Sequence, residues 1–140
     1  MHPLTHAEVQ AWLDRYVEAW QRYDAEAIAG LFAEDATYRY QPWGEPTVGR
    51  DAIVHDWLNP GGSADGRDKP GTWSARYEPW AVDGRRAVVV GETAYFTDAS
   101  HAVDEKRYWN NWLIEFDDAG RCRSFVEYYM QRKKPAAPAG

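Results

Sequence analysis

The stretch Trp73-Ser-Ala-Arg-Tyr-Glu-Pro-Trp-Ala-Val-Asp-Gly-Arg-Arg-Ala-Val-Val-Val-Gly-Glu-Thr-Ala-Tyr-Phe-Thr97 decides the architecture. Trp73 to Val82 is rich in aromatic and small apolar side chains, Asp83-Gly84 is a hairpin-turn pair, and Arg86 to Thr97 runs as a second strand. Downstream, after a loop from Asp98 to Glu105, Lys106 to Phe116 and Arg121 to Gln131 flank the turn Asp117-Asp118-Ala119-Gly120. The spacing predicts a four-stranded antiparallel meander. Strands of about 11 residues reach roughly 36 Å, long enough that the twist of each must curl the sheet strongly.

Upstream the periodicity changes from two to 3.6. Thr5 and Glu8 form a capping-box pair, and Val9, Trp12, Leu13, Tyr16, Val17 and Trp20 follow at helical spacing. Asp24 caps a second, shorter helix whose stripe Ala27, Ile28, Leu31 and Phe32 carries it to about Ala33. Thr37 to Gln41 reads as a strand, and Pro42, Gly44, Pro46 and Gly49 then break the chain. Ile53, Val54, Trp57 and Leu58 mark a third helix over Arg50 to Asn59, stopped by Pro60-Gly61-Gly62. Ser63 to Gly71 is a polar loop expected near the mouth of whatever the fold encloses. These elements predict an α+β fold, a cone-shaped barrel of strongly curved antiparallel or mixed sheet cupping three N-terminal helices around an apolar interior.

Composition narrows the function classes. The 140 residues suit one domain, over 1–132, with Lys133-Lys134-Pro135-Ala136-Ala137-Pro138 opening a loose tail over 133–140. A net charge of −6 argues against nucleic acid or an anionic membrane as partner. No apolar run is long enough for a membrane span, and residues Met1 to Glu8 lack the pattern of a secretory signal, so a cytoplasmic location is expected. Lone Cys122 excludes an intramolecular disulfide, and the scattered His2, His6, His55 and His101 carry no metal-ligand spacing. No phosphate loop or nucleophile elbow is present, so neither a nucleotide cofactor nor a metal is expected. Eight Trp, nine Tyr and four Phe make 15% of the chain, and rings in that number must line something.

At Arg15-Tyr-Val-Glu-Ala-Trp20, Leu31-Phe-Ala-Glu-Asp-Ala-Thr-Tyr38, Gly49-Arg-Asp-Ala-Ile53 and Gly120-Arg-Cys-Arg-Ser-Phe-Val-Glu-Tyr-Tyr129, the chain resembles the nuclear transport factor 2-like superfamily and, within it, the SnoaL-like group. The resemblance runs from about Ala7 to Gln131 and implies an α+β cone, usually a homodimer, with a pocket between sheet and helices. Tyr16 falls where ketosteroid isomerases keep an oxyanion-hole tyrosine; their two aspartate positions fall on Tyr40 and Trp112. Of the Asp, Arg, Asp set of limonene-type epoxide hydrolases, one acid corresponds to Glu127, and the other positions fall on Thr93 and Tyr95. In SnoaL-type polyketide cyclases an acid on the last strand acts as base, and Glu127 stands at about that position. The superfold hosts many chemistries, so the site has to be argued from its residues.

Period-2 alternation puts Phe125, Glu127 and Tyr129 on one face of the last strand and Val126, Tyr128 and Met130 on the other. If the first face looks inward, burial raises the Glu127 pKa toward neutrality, as a general acid or base requires. Glu92 is a second interior-acid candidate. Catalysis is assigned to Glu127, Tyr16 and Tyr40; Trp20, Tyr38, Trp43, Trp57, Asn110, Trp112 and Tyr129 are expected to bind the substrate. Asn110 and Asn111 face opposite sides, and spacing alone does not say which is inside. His55, beside Asp56, is read as a surface residue. The expected function is a cofactor-independent isomerase, cyclase or dehydratase acting on a small apolar or cyclic molecule. The alternative is a non-catalytic binding or interaction module of the same fold, in which the rings make a ligand trap or fill the core.

Overall fold

In the computed structural model, which describes residues 2–133, helix α1 spans His6–Arg22 and helix α2 Ala25–Ala29. Strand β1 (Phe32–Arg39) and the short β2 (Thr47–Val48) lead to helix α3 (Arg50–Leu58). The meander is β3 (Trp73–Asp83), β4 (Arg86–Phe96), β5 (Asp104–Phe116) and β6 (Cys122–Gln131). The expected tail lies, from residue 134 onward, outside the described residues. No helix among the described residues is long and apolar enough to cross a membrane.

The sheet runs β2-β1-β6-β5-β4-β3, antiparallel except for the parallel pair β1 and β6, so it is mixed. It is curled but open: β2 and β3 form its two edges, so the expected barrel is not closed. The first helix starts as its capping box dictates, with Glu8 N donating to Thr5 Oγ1 at 3.1 Å and Thr5 N to Glu8 Oε1 at 3.1 Å.

The second helix stops four residues earlier than its apolar stripe suggests. Gly30 caps it, and the Leu31 carbonyl turns sideways to accept from Cys122 N at 2.8 Å and from the Trp12 indole at 3.0 Å. Pairing with β6 therefore claims Phe32 for a strand, which begins five residues before the expected Thr37 and ends at Arg39, ahead of Gln41. Sheet hydrogen bonds made across 90 residues override local helical periodicity here.

The core lies between α1 and the inner face of the sheet. Trp12, Leu13, Ile28, Leu31, Phe32, Ile53 and Phe125 are all fully buried there, each worth about 1.5–3 kcal/mol relative to exposure. Gly91 is demanded by one close approach: a Cβ at this position would lie 2.2 Å from the Tyr77 ring and 2.4 Å from the Arg76 carbonyl oxygen. Its lack of a side chain lets Tyr77 lean across β4 toward the interior.

Candidate functional site

The curl of the sheet, with α1, α3 and the segment from Pro60 to Asp68, encloses a cavity of about 690 Å³. Eight of the nine tyrosines line it: Tyr16 and Tyr23 from α1 and its cap, Tyr38 and Tyr40 from β1 and its end, Tyr77, Tyr95, Tyr108 and Tyr129 from the meander. The walls are therefore aromatic faces tipped with hydroxyls rather than a purely apolar chamber.

Glu127 is the acid of the inner part. It stands on β6 directly opposite Trp112 of β5, whose indole N–H donates to Glu127 Oε2 at 2.7 Å. Asn110 Nδ2 donates to the other oxygen at 3.4 Å. Among the described residues no basic side chain forms an ion pair with it. Burial pushes its pKa up to about 7, and the two hydrogen bonds restrain the rise. A carboxyl group so poised is close to half-ionised at neutral pH, which suits it to give or accept a proton.

Beside it, Tyr16 and Tyr38 share a hydrogen bond of 2.8 Å between their hydroxyls. Both rings are buried, Tyr16 wedged among Trp57, Trp112 and Phe125. Burial raises both phenols well above their ordinary range, so they stay protonated and can donate to an oxygen that gains negative charge. Tyr40, which is partly exposed, is also raised, by burial first and then by Asp56 and Glu127. On the far side of the acid, Thr93 Oγ1 donates to Asn110 Oδ1 at 2.8 Å and lies 2.5 Å from the Tyr77 hydroxyl.

The mouth has its own polar frame. Asp68 accepts from the Trp20 indole at 3.0 Å and the Tyr23 hydroxyl at 3.3 Å, and its own N–H donates to Tyr23 Oη at 2.9 Å. Trp20 stacks on Trp73 with ring centres 3.8 Å apart. Lys106 Nζ lies 4.9 Å from the centre of the Tyr95 ring. His55 sits exposed at the rim, and Asp56 accepts from Thr47 Oγ1 at 2.8 Å, a partner other than the imidazole. Among the described residues, no group of three or more His, Cys, Asp and Glu side chains could hold a metal ion.

The structure brings Glu127, Tyr16 and Tyr40 into one cavity, with Trp20, Tyr38, Trp57, Asn110, Trp112 and Tyr129 in its lining; Tyr129 is at the rim. Trp43 is not among them. The bend after β1, where the Arg39 guanidinium donates to the Gly44 carbonyl, carries its ring into solvent at 71% exposure. Glu92 is not an interior acid either: it lies on the outer face opposite Trp109 and pairs with Arg107. Asn110 is the inward asparagine, and Asn111 is exposed. Tyr77, Thr93, Tyr95, Lys106, Tyr108 and, at the mouth, Tyr23 and Asp68 were missed as site residues. For the strand residues a signal existed, because two-residue steps back from Asn110 reach Tyr108 and Lys106. Asp68 had none, since a loop carries no periodicity.

A curled mixed sheet over three helices, with a cavity opening between them, defines the α+β cone of the nuclear transport factor 2-like superfamily. The sequence profile of the SnoaL-like domain matches residues 13–125, and the chain belongs to that family. The match stops two residues before Glu127. An ergochrome gene cluster protein from Claviceps purpurea (strain 20.1) is 35% identical over 52 residues, 36% of this chain and 44% of that one, so the match takes in less than half of the relative's length. Among solved structures, a protein from Kribbella flavida DSM 17836 described as a candidate ketosteroid isomerase superimposes with a TM-score of 0.62 at 19% identity. The superposition covers 94% of this chain and 84% of that one. A Sphaerobacter thermophilus protein superimposes with a TM-score of 0.59 at 19% identity, over 86% of this chain and 94% of that one. At these identities the structural likeness speaks for the fold.

Proposed function

We propose that the protein is a cytoplasmic, cofactor-independent enzyme of isomerase, cyclase or dehydratase type acting on a small cyclic molecule. Glu127 takes a proton from a carbon next to a carbonyl and returns it elsewhere, and Tyr16, hydrogen-bonded to Tyr38, donates to the oxygen that becomes negative. The carrying observation is a cavity carboxyl group with no cationic partner among the described residues, held by Trp112 and Asn110 and sharing the cavity with the buried, hydrogen-bonded phenols of Tyr16 and Tyr38. The phenolic walls suit a flat ring system bearing several oxygens better than a plain hydrocarbon. The reading is tested with a panel of enolisable fused-ring ketones, following exchange of the α-hydrogen into D2O by proton NMR. Glu127→Gln is expected to lose at least a hundredfold in rate while binding is retained. Equal rates for the two proteins, or no acceleration with any ketone, refute it.

A non-catalytic ligand trap remains the second reading, favoured by the tyrosine and tryptophan that stand where the resemblance implies two aspartates, at Tyr40 and Trp112. It expects Glu127→Gln to alter nothing that the cavity does. For the assembly, we propose a homodimer through the outer face of the sheet, where Trp109, Leu113, Tyr128 and Met130 are all exposed. Sedimentation at micromolar concentration is expected to give twice the 16.1 kDa chain mass, and a purely 16.1 kDa species contradicts the dimer.

A further inference from the structure

Four adjacent strands each contribute one inward side chain to a continuous row: Tyr77 from β3, Thr93 from β4, Asn110 from β5 and Glu127 from β6. Gly91, paired with both Tyr77 and Asn110, leaves the gap that the row crosses. Nothing in the catalytic reading above requires the row. Its length nevertheless sets it apart from isolated core contacts, and Thr93 and Asn110 are the two polar residues classed as buried in this face.

The direction of the row follows from donor chemistry. The Trp112 indole can only donate, so Glu127 Oε2 is an acceptor. Asn110 turns its NH2 to Glu127 Oε1, which leaves its carbonyl oxygen facing Thr93. Thr93 must then donate its single hydroxyl proton to Asn110, so its oxygen accepts from Tyr77. Every donor thus points toward Glu127, and aligned hydrogen bonds of this kind polarise one another in a low-dielectric interior. The opposite assignment, with the Asn110 carbonyl against Glu127, would set acceptor against acceptor whenever the acid is ionised.

We propose that Tyr77, Thr93 and Asn110 are positioning residues, a one-way hydrogen-bond row that holds Glu127 as a hydrogen-bond acceptor and delivers it to the substrate as the base. This rests on the reading of Glu127 as the proton-transfer group and says what readies it for the first step, in which Glu127 removes a proton from carbon, the carbon–hydrogen bonding pair becomes the new carbon–carbon double bond of the enolate, and the carbonyl π pair moves onto the oxygen, which takes the charge. The phenols that face Glu127 are Tyr16 of α1, Tyr38 and Tyr40 of β1 and its end, Tyr77 of β3 and Tyr95 of β4, and the charged or titratable side chains His55, Asp56, Asp68 and Lys106 line the same cavity. The phenols stay neutral through the range concerned, and the Glu127 titration is told apart from that of the rim groups because it is read on its own carboxyl carbon.

The test uses the whole protein labelled with carbon-13 and nitrogen-15, titrated from pH 5 to 9. In the unsubstituted protein, the Asn110 side-chain amide and the Trp112 indole N–H resonances are expected to move with the midpoint read from the Glu127 carboxyl carbon. Thr93→Val deletes the donor that fixes the amide, and it is expected to raise that midpoint by about half to one pH unit; Thr93→Ser restores it. An Asn110 amide that ignores the Glu127 midpoint overturns the row, and this is read without any variant. A near-neutral midpoint that Thr93→Val leaves unmoved overturns the positioning role while the catalytic reading stands. An unsubstituted midpoint in the ordinary carboxylate range overturns the catalytic reading instead.

Discussion

Burying an acid without a cation should weaken the fold at high pH, and Glu127→Gln should remove that weakness. The Glu127 carboxyl is raised by burial from an ordinary 4.5 to about 7 in the folded protein. Between these values the folded state holds a proton that the unfolded chain has released, so stability must fall as pH rises. The contribution is fully present below 4.5 and is lost once pH has passed about 7. At about 1.36 kcal/mol per pH unit, the gap amounts to about 3 kcal/mol, an upper figure because the carboxyl keeps some contact with the solvent-open cavity. Glutamine is uncharged at every pH and still offers the Trp112 indole an acceptor. Urea unfolding of the two proteins should therefore give similar midpoints at pH 4 and a more stable Glu127→Gln protein at pH 8.5, by about 1–3 kcal/mol. A difference that is absent at pH 8.5, or that favours the unsubstituted protein there, refutes the claim that this carboxylate is held in a site that disfavours its charge.

Three further outcomes follow from the same geometry. Trp112→Phe keeps an aromatic side chain but removes the indole N–H and with it the 2.7 Å bond to Glu127, so the acid's titration midpoint in carbon-13 NMR should rise by about one pH unit. Gly91→Ala forces a methyl into the space of the Tyr77 ring and the Arg76 carbonyl, and calorimetry should register a loss of about 3 kcal/mol or failure to fold. Asp68→Ala frees Trp20 and Tyr23 from the loop, so hydrogen exchange across 60–71 should accelerate at least tenfold while exchange in β4 and β5 stays unchanged.

What could be read from sequence was set by chemistry close along the chain. The start of α1 was legible because Thr5 and Glu8 bond each other across three residues, and the β3–β4 hairpin because Gly84 supplies the positive φ that its turn requires, although the loop is Gly84-Arg85 and Asp83 stays in β3, paired with Arg86. Strand alternation grouped Glu127 with Phe125 and Tyr129 on one face, but did not say which way that face looks. The start of β1 was not legible, because Phe32 is claimed by Cys122, a partner 90 residues away. Alternation also leaves Glu127 and Glu92 equivalent until the curl decides which face is concave and Arg107 reaches Glu92 on the outside. Trp43 illustrates the converse error: an aromatic residue beside a strand end looks like pocket lining until the bend at Gly44 turns it outward. The row from Tyr77 to Glu127 could not have been found at all, since it exists only once four strands are in register.

The account is tested most directly by titrating the Glu127 carboxyl carbon in the folded protein. It predicts a midpoint of about 7. A midpoint near 4.3, the value of a carboxyl group in water, would mean that the chamber does not protect this side chain, and the proton-transfer assignment would fall.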